Sequence, residues 1–186
     1  IKTDAHISYD RVGLHTFINP FSYLKIRKKR LLEQFDYIYI DGFLLVSILK
    51  LMGIKVSRNS FDMTSLAKKV FNESIKNKKR IYLIGSSNEV MLKFINIVET
   101  NFTNINIIGY RGGFFNSSEE REQTIHSILS IKPDIVIVGM GTPLQEHFLI
   151  DLSIAGWQGI GYTCGGFIHQ TANKLNYYPP FFNKYN

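Results

Sequence analysis

A single cysteine, Cys164, occurs in the 186 residues, so an internal disulfide framework is excluded and a reducing compartment is compatible. No Cys/His spacing of the zinc-binding kind is present. Long apolar runs are missing too: none approaches the roughly 20 residues that a spanning helix needs. The sequence has no internal repeat, low-complexity tract or Gly/Ser linker, which makes one domain the simplest organisation. The opening Ile1-Lys2-Thr3-Asp4 carries neither an initiator Met nor a signal-peptide pattern, and Phe181–Asn186 ends without a closing structural signal. Both ends therefore read as cut. Acidic residues are in deficit, 15 against 22 Lys and Arg, for a net charge of +7. That balance favours anionic partners: a nucleotide, a lipid diphosphate, an acidic membrane surface or nucleic acid.

What is present is ordinary for a globular chain, with 45% hydrophobic and 20% charged residues, enough for one α/β domain with a substantial core. Short apolar runs alternate with longer helical patterns. Strands are expected near Gly13–Ile18, Asp36–Ile40, Arg80–Gly85, Ile105–Ile108, Asp134–Val138 and Gly159–Tyr162. Helices are expected near Phe21–Phe35, Phe43–Met52, Asp62–Lys76, Ser87–Phe102, Ser118–Ser130 and Pro143–Ala155. Three helix starts match a capping box, Ser86 with Glu89, Ser117 with Glu120 and Thr142 with Gln145, and Pro143 suits a first helical position. The alternation defines an α/β fold class: a single-domain, Rossmann-like parallel sheet with helices on both faces. The densest charge cluster, Lys25–Arg30, lies beside Phe21, Leu24, Leu31, Leu32 and Phe35. It reads either as a solvated helix face or as a face against anionic headgroups.

In open parallel sheets ligands bind beyond the carboxyl ends of the strands, and the unusual residues collect there. Asp41-Gly42 follows the second strand and Gly85-Ser86 the third. Gly109–Phe114 follows the fourth, Gly139–Glu146 the fifth and Thr163–Thr171 the sixth. Glycines admit a ligand close to the backbone, and a helix N-terminus offers free N–H groups to phosphate. The segment Gly139–Gln145 meets both conditions, though it is neither a Walker A loop nor a G-x-G-x-x-G; its spacing supports an anion site. Plainer readings stand beside these. Asp41 and Asp62 suit helix caps, Arg58 with Asp62 a structural pair, Gln145 a capping box, and His169 a satisfied histidine. Cys164 suits a buried thiol.

The string Gly139-Met-Gly-Thr-Pro-Leu-Gln-Glu146 resembles the G-x-G-x-P-x-Q-E signature of the WecG/TagA/CpsF glycosyltransferases, glycosyltransferase family 26. Asp41-Gly42, Tyr82-Leu-Ile-Gly85, Ile107-Ile-Gly109 with Gly113-Phe114, and Gly165-Gly166 resemble further elements of that family, in the same order and across nearly the whole chain. The resemblance implies an inverting transfer of a sugar from a UDP-sugar, typically of the N-acetylmannosamine type. The implied acceptor is a polyprenyl-diphosphate-linked sugar in cell-surface polysaccharide synthesis. It implies no required metal and no cofactor, UDP-sugar being a substrate. Asp41 would be the general base. Thr16, Asn19, Arg58, Asp62, Gln145 and His169 would bind substrate. Gly85, Gly109, Gly139, Gly141, Thr142, Pro143, Gly165 and Gly166 would form the nucleotide site. The implied place of work is the inner face of the cytoplasmic membrane, by peripheral contact with anionic lipid; nucleic acid is not an expected partner, and a homo-oligomer is left open.

This chain departs from the family pattern in several places. Thr16 stands one position early for T-x-N-P. Arg58-Asn-Ser-Phe-Asp62 is one residue shorter than R-x-x-G-x-D. His169 replaces the Asp of G-G-x-x-D, and Tyr177-Tyr178-Pro179 stands for R-A-P. The family's C-terminal appendage is missing, so residues 1–186 read as a catalytic core from a longer chain, and the donor sugar stays open. Two rival readings accompany this one. A nucleotide-dependent oxidoreductase or epimerase would need a glycine fingerprint where the first strand instead leads to Asn19-Pro20. A nucleic-acid module would rest on Lys25–Arg30 with no recognised motif.

Overall fold

The computed structural model describes residues 10–27 and 30–175. In chain order these form β1 (Gly13–Ile18), α1 (Pro20–Ile26), a 3-10 turn (Leu31–Gln34), β2 (Tyr37–Ile40), α2 (Phe43–Leu51), α3 (Leu66–Lys76), β3 (Arg80–Gly85), α4 (Asn88–Asn101), β4 (Asn106–Arg111), α5 (Ser118–Ile131), β5 (Ile135–Gly139), α6 (Leu144–Ile154), β6 (Ile160–Thr163) and α7 (Phe167–Asn173). The strands make one six-stranded sheet in the order β2-β1-β6-β5-β3-β4. Every neighbouring pair is parallel. The α/β, Rossmann-like single domain expected from the alternation is the fold found.

Strand side chains alternate between two cores, as the period of two requires. Ile81, Leu83, Ile135, Ile137 and Tyr162 face one core, with Val70 and Phe71 of α3, Phe94 of α4 and Phe167 of α7. Tyr82, Ile84, Val136 and Val138 face the other, with Ile26 of α1, Val46 of α2, Ile128 of α5 and Phe148 of α6. Continuous β-branched and aliphatic runs such as Ile135–Val138 are what a strand covered on both faces needs.

Local structure departs from the sequence expectation where tertiary contacts override periodicity. The helix expected over Phe21–Phe35 is broken: α1 ends at Ile26, and Arg30 adopts a left-handed φ of 53° before the 3-10 turn. The break lets Ile26, Leu31 and Phe35 all reach the core, while Phe21 and Leu24 of the expected stripe remain exposed. Lys28 and Lys29 of the basic stretch, and Tyr177-Tyr178-Pro179, lie outside the described residues. α3 begins at Leu66 rather than Asp62, because Asp62 is used in a turn that accepts from the Thr64 backbone N–H at 2.8 Å. β4 runs on through Gly109 to Arg111. α4 is capped by Ser87, one residue later than expected, with Ser86 at a φ of 54°. Ser117 does cap α5, but Glu120 turns its side chain to the Asn116 N–H and to Arg111 instead of closing the box. Pro143 sits at the cap of α6, one position before the first helical residue, after a cis Thr142–Pro143 bond.

Candidate functional site

The carboxyl edge of the sheet carries the polar residues in a row set by strand order. Asp41 follows β2, Asn19 follows β1, and Gly165-Gly166 follow β6; the Gly139–Gln145 turn follows β5. Asp41 and that turn are separated by β1 and β6, about 14 Å at roughly 4.8 Å per strand. After β1 the chain enters α1 in one helical layer, whereas after the adjacent β6 it enters α7 in the opposite layer. Such a divergence opens a crevice in the middle of the row, the place where open α/β sheets bind ligands.

At one end of the crevice Asp41 is anchored by its own N–H, which donates to Ile18 O at 2.7 Å. The segment after α2 returns alongside it: Asn59 N–H donates to Ile40 O at 2.9 Å. That return brings Arg58 Nη2 to 3.7 Å from Asp41 Oδ1 and 3.3 Å from Asp62 Oδ2. Asp62 itself is buried, and its Oδ1 also accepts from the Thr64 hydroxyl at 2.7 Å. The result is a guanidinium shared by one buried carboxylate and one that still reaches solvent, Asp41 being 28% exposed. Burial pushes the Asp41 carboxyl above its ordinary pKa, while Arg58, the Ser60 hydroxyl and the Gly42 N–H pull it back. A partly buried carboxylate with a raised pKa suits proton abstraction near neutrality. Ser60 had no signal in the sequence, because it lies between regular elements.

Asn19 caps α1 through a reciprocal box with Ser22. Its Oδ1 accepts from Ser22 N–H at 2.9 Å, and its N–H donates to Ser22 Oγ at 2.9 Å. It flanks Asp41, since a Cβ added at Gly42 would lie 3.8 Å from Asn19 Cβ.

At the other end Gln145 joins two loops. Its Oε1 accepts from Gly165 N–H at 3.0 Å, and its Nε2 donates to Glu146 Oε1 at 3.0 Å and to Thr142 Oγ1 at 3.4 Å. Thr142 also donates to Glu146 Oε1 at 3.0 Å. Gln145 is 3% exposed and Glu146 wholly buried, so neither side chain presents itself to a ligand in this conformation. Where direct contact with substrate was expected, Gln145 forms in this conformation a bridge that holds the loops after β5 and β6 together. The expected capping box there is replaced by the same bridge. Glu146, given no role by sequence reasoning, is the buried acceptor at its centre; its Oε2 has no hydrogen-bond partner.

The glycines divide by what surrounds them. Gly141 and Gly165 have positive φ values of 74° and 54° and open space where a Cβ would stand. Gly166 opens α7 with only the Gln170 side chain near it. These three are free to approach a ligand. Gly85 and Gly139 are required by packing: a Cβ on Gly85 would strike Gly139 O, and one on Gly139 would lie 2.9 Å from Cys164 Sγ. Gly109, expected at the nucleotide site, stands on the edge strand. It lies within β4, its Cβ position 2.7 Å from the Tyr82 ring, and serves close packing near the far edge of the sheet. Thr16 is wholly buried in β1, its hydroxyl 3.0 Å from that of Thr163, so in this conformation it ties β1 to β6 beneath the crevice. His169 is exposed on α7. Cys164 is buried, and burial drives its thiol pKa strongly upward, as suits an inert core residue.

A further buried group escaped sequence reading. His15 packs among Tyr37, Tyr39 and Tyr162. Nε2 lies 2.9 Å from Arg11 O, a pure acceptor, so the proton sits on Nε2 and Nδ1 accepts from Tyr39 Oη at 3.0 Å. Burial lowers its pKa to about 4, so it is neutral at physiological pH. Among the described residues no group of three or more His, Cys, Asp or Glu is gathered as a metal site, and no helix is long and apolar enough to cross a membrane.

The sequence profile of the glycosyl transferase WecG/TagA/CpsF family matches residues 2–186. The chain is 42% identical over 175 residues to a UDP-Gal:alpha-D-GlcNAc-diphosphoundecaprenol beta-1,4-galactosyltransferase of Shigella boydii, covering 94% of this chain and 73% of that protein. It is 25% identical over 174 residues to an N-acetylglucosaminyldiphosphoundecaprenol N-acetyl-beta-D-mannosaminyltransferase of Bacillus spizizenii, covering 94% and 64% of the two chains. To the protein of the same description in Bacillus subtilis it is 29% identical over 152 residues, covering 78% and 57%. The chain thus spans less than two thirds of either Bacillus protein. A profile match over nearly every residue, joined to a parallel sheet whose carboxyl edge carries Asp41-Gly42 and the Gly139–Glu146 turn, has one reading: the chain belongs to the WecG/TagA/CpsF family of glycosyltransferases.

Proposed function

We propose that the protein transfers a sugar, with inversion, from a UDP-sugar to the hydroxyl of an N-acetylglucosamine carried on a polyprenyl diphosphate, at the inner face of the cytoplasmic membrane. The observation that carries this reading is the pairing on one sheet edge of a carboxylate with a raised pKa, Asp41, and a glycine turn leading into the α6 N-terminus. The relatives' printed names supply the substrate classes, and the galactosyltransferase at 42% identity makes UDP-galactose the donor to test first.

In the proposed reaction the UDP moiety lies over β5 and β6, against Gly141, Gly165 and Gly166, with the sugar directed along the crevice toward β1 and β2. Asp41 removes the proton from the acceptor hydroxyl as its oxygen attacks the anomeric carbon. The carbon–oxygen bond to the diphosphate breaks, and the leaving UDP takes that electron pair. Asp41 then returns its proton to solvent. Charge developing on the diphosphate is met by backbone N–H groups of the turn and the positive end of α6. With these donors supplied by the chain, UDP binding is expected to proceed without added divalent metal.

The test uses the full chain with a panel of UDP-sugars and a short-chain N-acetylglucosaminyl-diphospho-lipid, following product mass and UDP release. Transfer from at least one UDP-sugar is expected, with UDP binding by calorimetry retained in excess EDTA. Absence of transfer from the whole panel, together with no UDP binding, overturns the reading. Binding that returns only with magnesium or manganese overturns the metal-independent part.

A further inference from the structure

The outward surfaces of α1 and α2 are apolar to a degree that the core does not explain. α2 reads Phe-Leu-Leu-Val-Ser-Ile-Leu-Lys-Leu, yet only Val46 among these is buried. Leu44, Ile48 and Leu51 fall at i, i+4 and i+7, one stripe of the helix, and all three are exposed, Leu51 at 89%. Phe43 of the same helix, and Met52 and Ile54 just beyond its end, are exposed too, and α1 adds Phe21, Tyr23 and Leu24. The two helices start side by side, since the cap of α1 is Asn19 and the cap of α2 is Gly42, whose Cβ position lies 3.8 Å from Asn19 Cβ. Both pack inward against the same core, through Ile26 and Val46. Exposed apolar side chains concentrated on two helices that start side by side mark an interaction site.

Charge identifies the occupant. Neither Arg11–Leu32 nor Gly42–Arg58 contains a single Asp or Glu. The exposed cations Lys25, Arg27, Lys50 and Lys55 border the apolar side chains. Lys25 also lies over the Phe21 ring, with Nζ 4.3 Å from its centroid. Exposed Leu, Ile and Phe on two segments that carry Lys and Arg and no carboxylate match an anionic bilayer: acyl chains beneath, phosphate headgroups around the rim. A second copy of the chain would set these cations against each other.

We propose that the outward faces of α1 and α2 form a bilayer-insertion surface that lays anionic membrane against the Asp41 end of the crevice. Phe43 and Leu44 follow directly on Asp41-Gly42, so the inserted surface begins where the acceptor hydroxyl is deprotonated. The choice of this end rests on the proposed lipid-linked acceptor, whose diphosphate sits at headgroup depth and whose sugar must reach Asp41 without leaving the membrane. Insertion here also keeps the nucleotide end of the crevice, over β5 and β6, open to water.

The experiment uses the full chain, its Leu44→Gln/Ile48→Gln/Leu51→Gln variant and a Lys50→Glu/Lys55→Glu variant. Glutamine is a good helix former, so the fold is retained. Flotation on phosphatidylglycerol-containing vesicles is compared with phosphatidylcholine alone, alongside sedimentation velocity and turnover on a short-chain acceptor in solution. The triple glutamine variant is expected to lose at least about tenfold in vesicle partition, the scale for aliphatic side chains that no longer leave water, with soluble-acceptor turnover unchanged. The Lys→Glu pair is expected to lose preference for the anionic vesicles. A Leu51→Trp variant should show a blue-shifted emission on adding vesicles, against the constant background of buried Trp157. Wild-type flotation by the triple variant overturns the proposal, as does an unshifted Leu51→Trp emission. Loss of self-association with flotation unchanged also overturns it and assigns the surface to a second copy. Vesicle loss as expected, with no turnover by any chain, sustains the surface and rejects the transferase reading separately.

Discussion

Replacing Gln145 by Ala separates a bridging role from a substrate contact, and its cost can be worked from the bonds lost. The change removes the acceptor of the Gly165 N–H and the donor to Glu146 Oε1, each at 3.0 Å. Each of these hydrogen bonds is a net contribution of about 0.5–1.5 kcal/mol. Glu146 is wholly buried and would keep only the Thr142 hydroxyl among its present donors, so the loss is not relieved by water. The expected destabilisation is about 1–3 kcal/mol, or roughly 2–12 °C in Tm at about 2–4 °C per kcal/mol for a domain of this size. Gln145→Glu should also destabilise, because it replaces the amide donor to Glu146 Oε1 with a second carboxyl oxygen. Calorimetric melting gives the stability term. UDP titration well below the variant's Tm should then show weakened binding, because Gly165-Gly166 is no longer fixed to the loop after β5. An unchanged Tm would refute the bridge. A lowered Tm with wild-type UDP affinity would show that the bridge holds the fold without shaping the site.

Asp41→Asn should keep UDP affinity and lower turnover by about two to four orders of magnitude, the scale for losing a general base; near-normal turnover of pure variant would remove Asp41 from that role. The same variant tests linkage. The raised pKa of Asp41 means the folded chain holds the proton more tightly than the unfolded one, so stability is lost as pH rises from the ordinary carboxylate value through the folded pKa. At neutral pH Asp41→Asn should therefore melt no lower than wild type, and a clear drop in Tm would contradict the sign. Arg58 lowers the Asp41 pKa, so Arg58→Ala should move the acid limb of the pH–rate profile to higher pH and Arg58→Lys should largely restore it; an unmoved limb in Arg58→Ala would exclude the coupling. Gly109→Ala should destabilise by about 1–3 kcal/mol through overpacking against Tyr82, with UDP affinity unchanged, and weakened UDP binding would return Gly109 to the nucleotide site.

Much of the architecture was legible because both faces of the sheet are covered. A strand such as Ile135–Gly139 must then be apolar throughout, and the helix between successive strands must repeat at its own period. The break after α1 was not legible. Phe21 and Leu24 satisfy the helical period as well as Ile26 does, and only packing against the sheet decides which of them is buried. The place of Asp41 at a strand's carboxyl end was readable from an acid-glycine pair after an apolar run. Ser60 was not, since it reaches Asp41 only through the return of an irregular segment.

The glycines show where sequence reasoning stops. A motif specifies that position 139 or 165 carries no side chain, but the same absence answers two needs. At Gly139 the space is filled by Cys164 and the neighbouring loop, and at Gly165 it is empty. Likewise Thr16 and Gln145 are polar residues in suggestive places, and only the fold shows their partners, Thr163 and Gly165, and the ties they make between strands and loops. The sequence by itself determined the order of elements, the two-sided core and the family motifs, because these depend on local period and on residues close along the chain. Tertiary structure alone decided which polar groups remain free at the crevice and which apolar side chains of α1 and α2 stay in water, because burial is a property of what folds against a residue from far along the sequence.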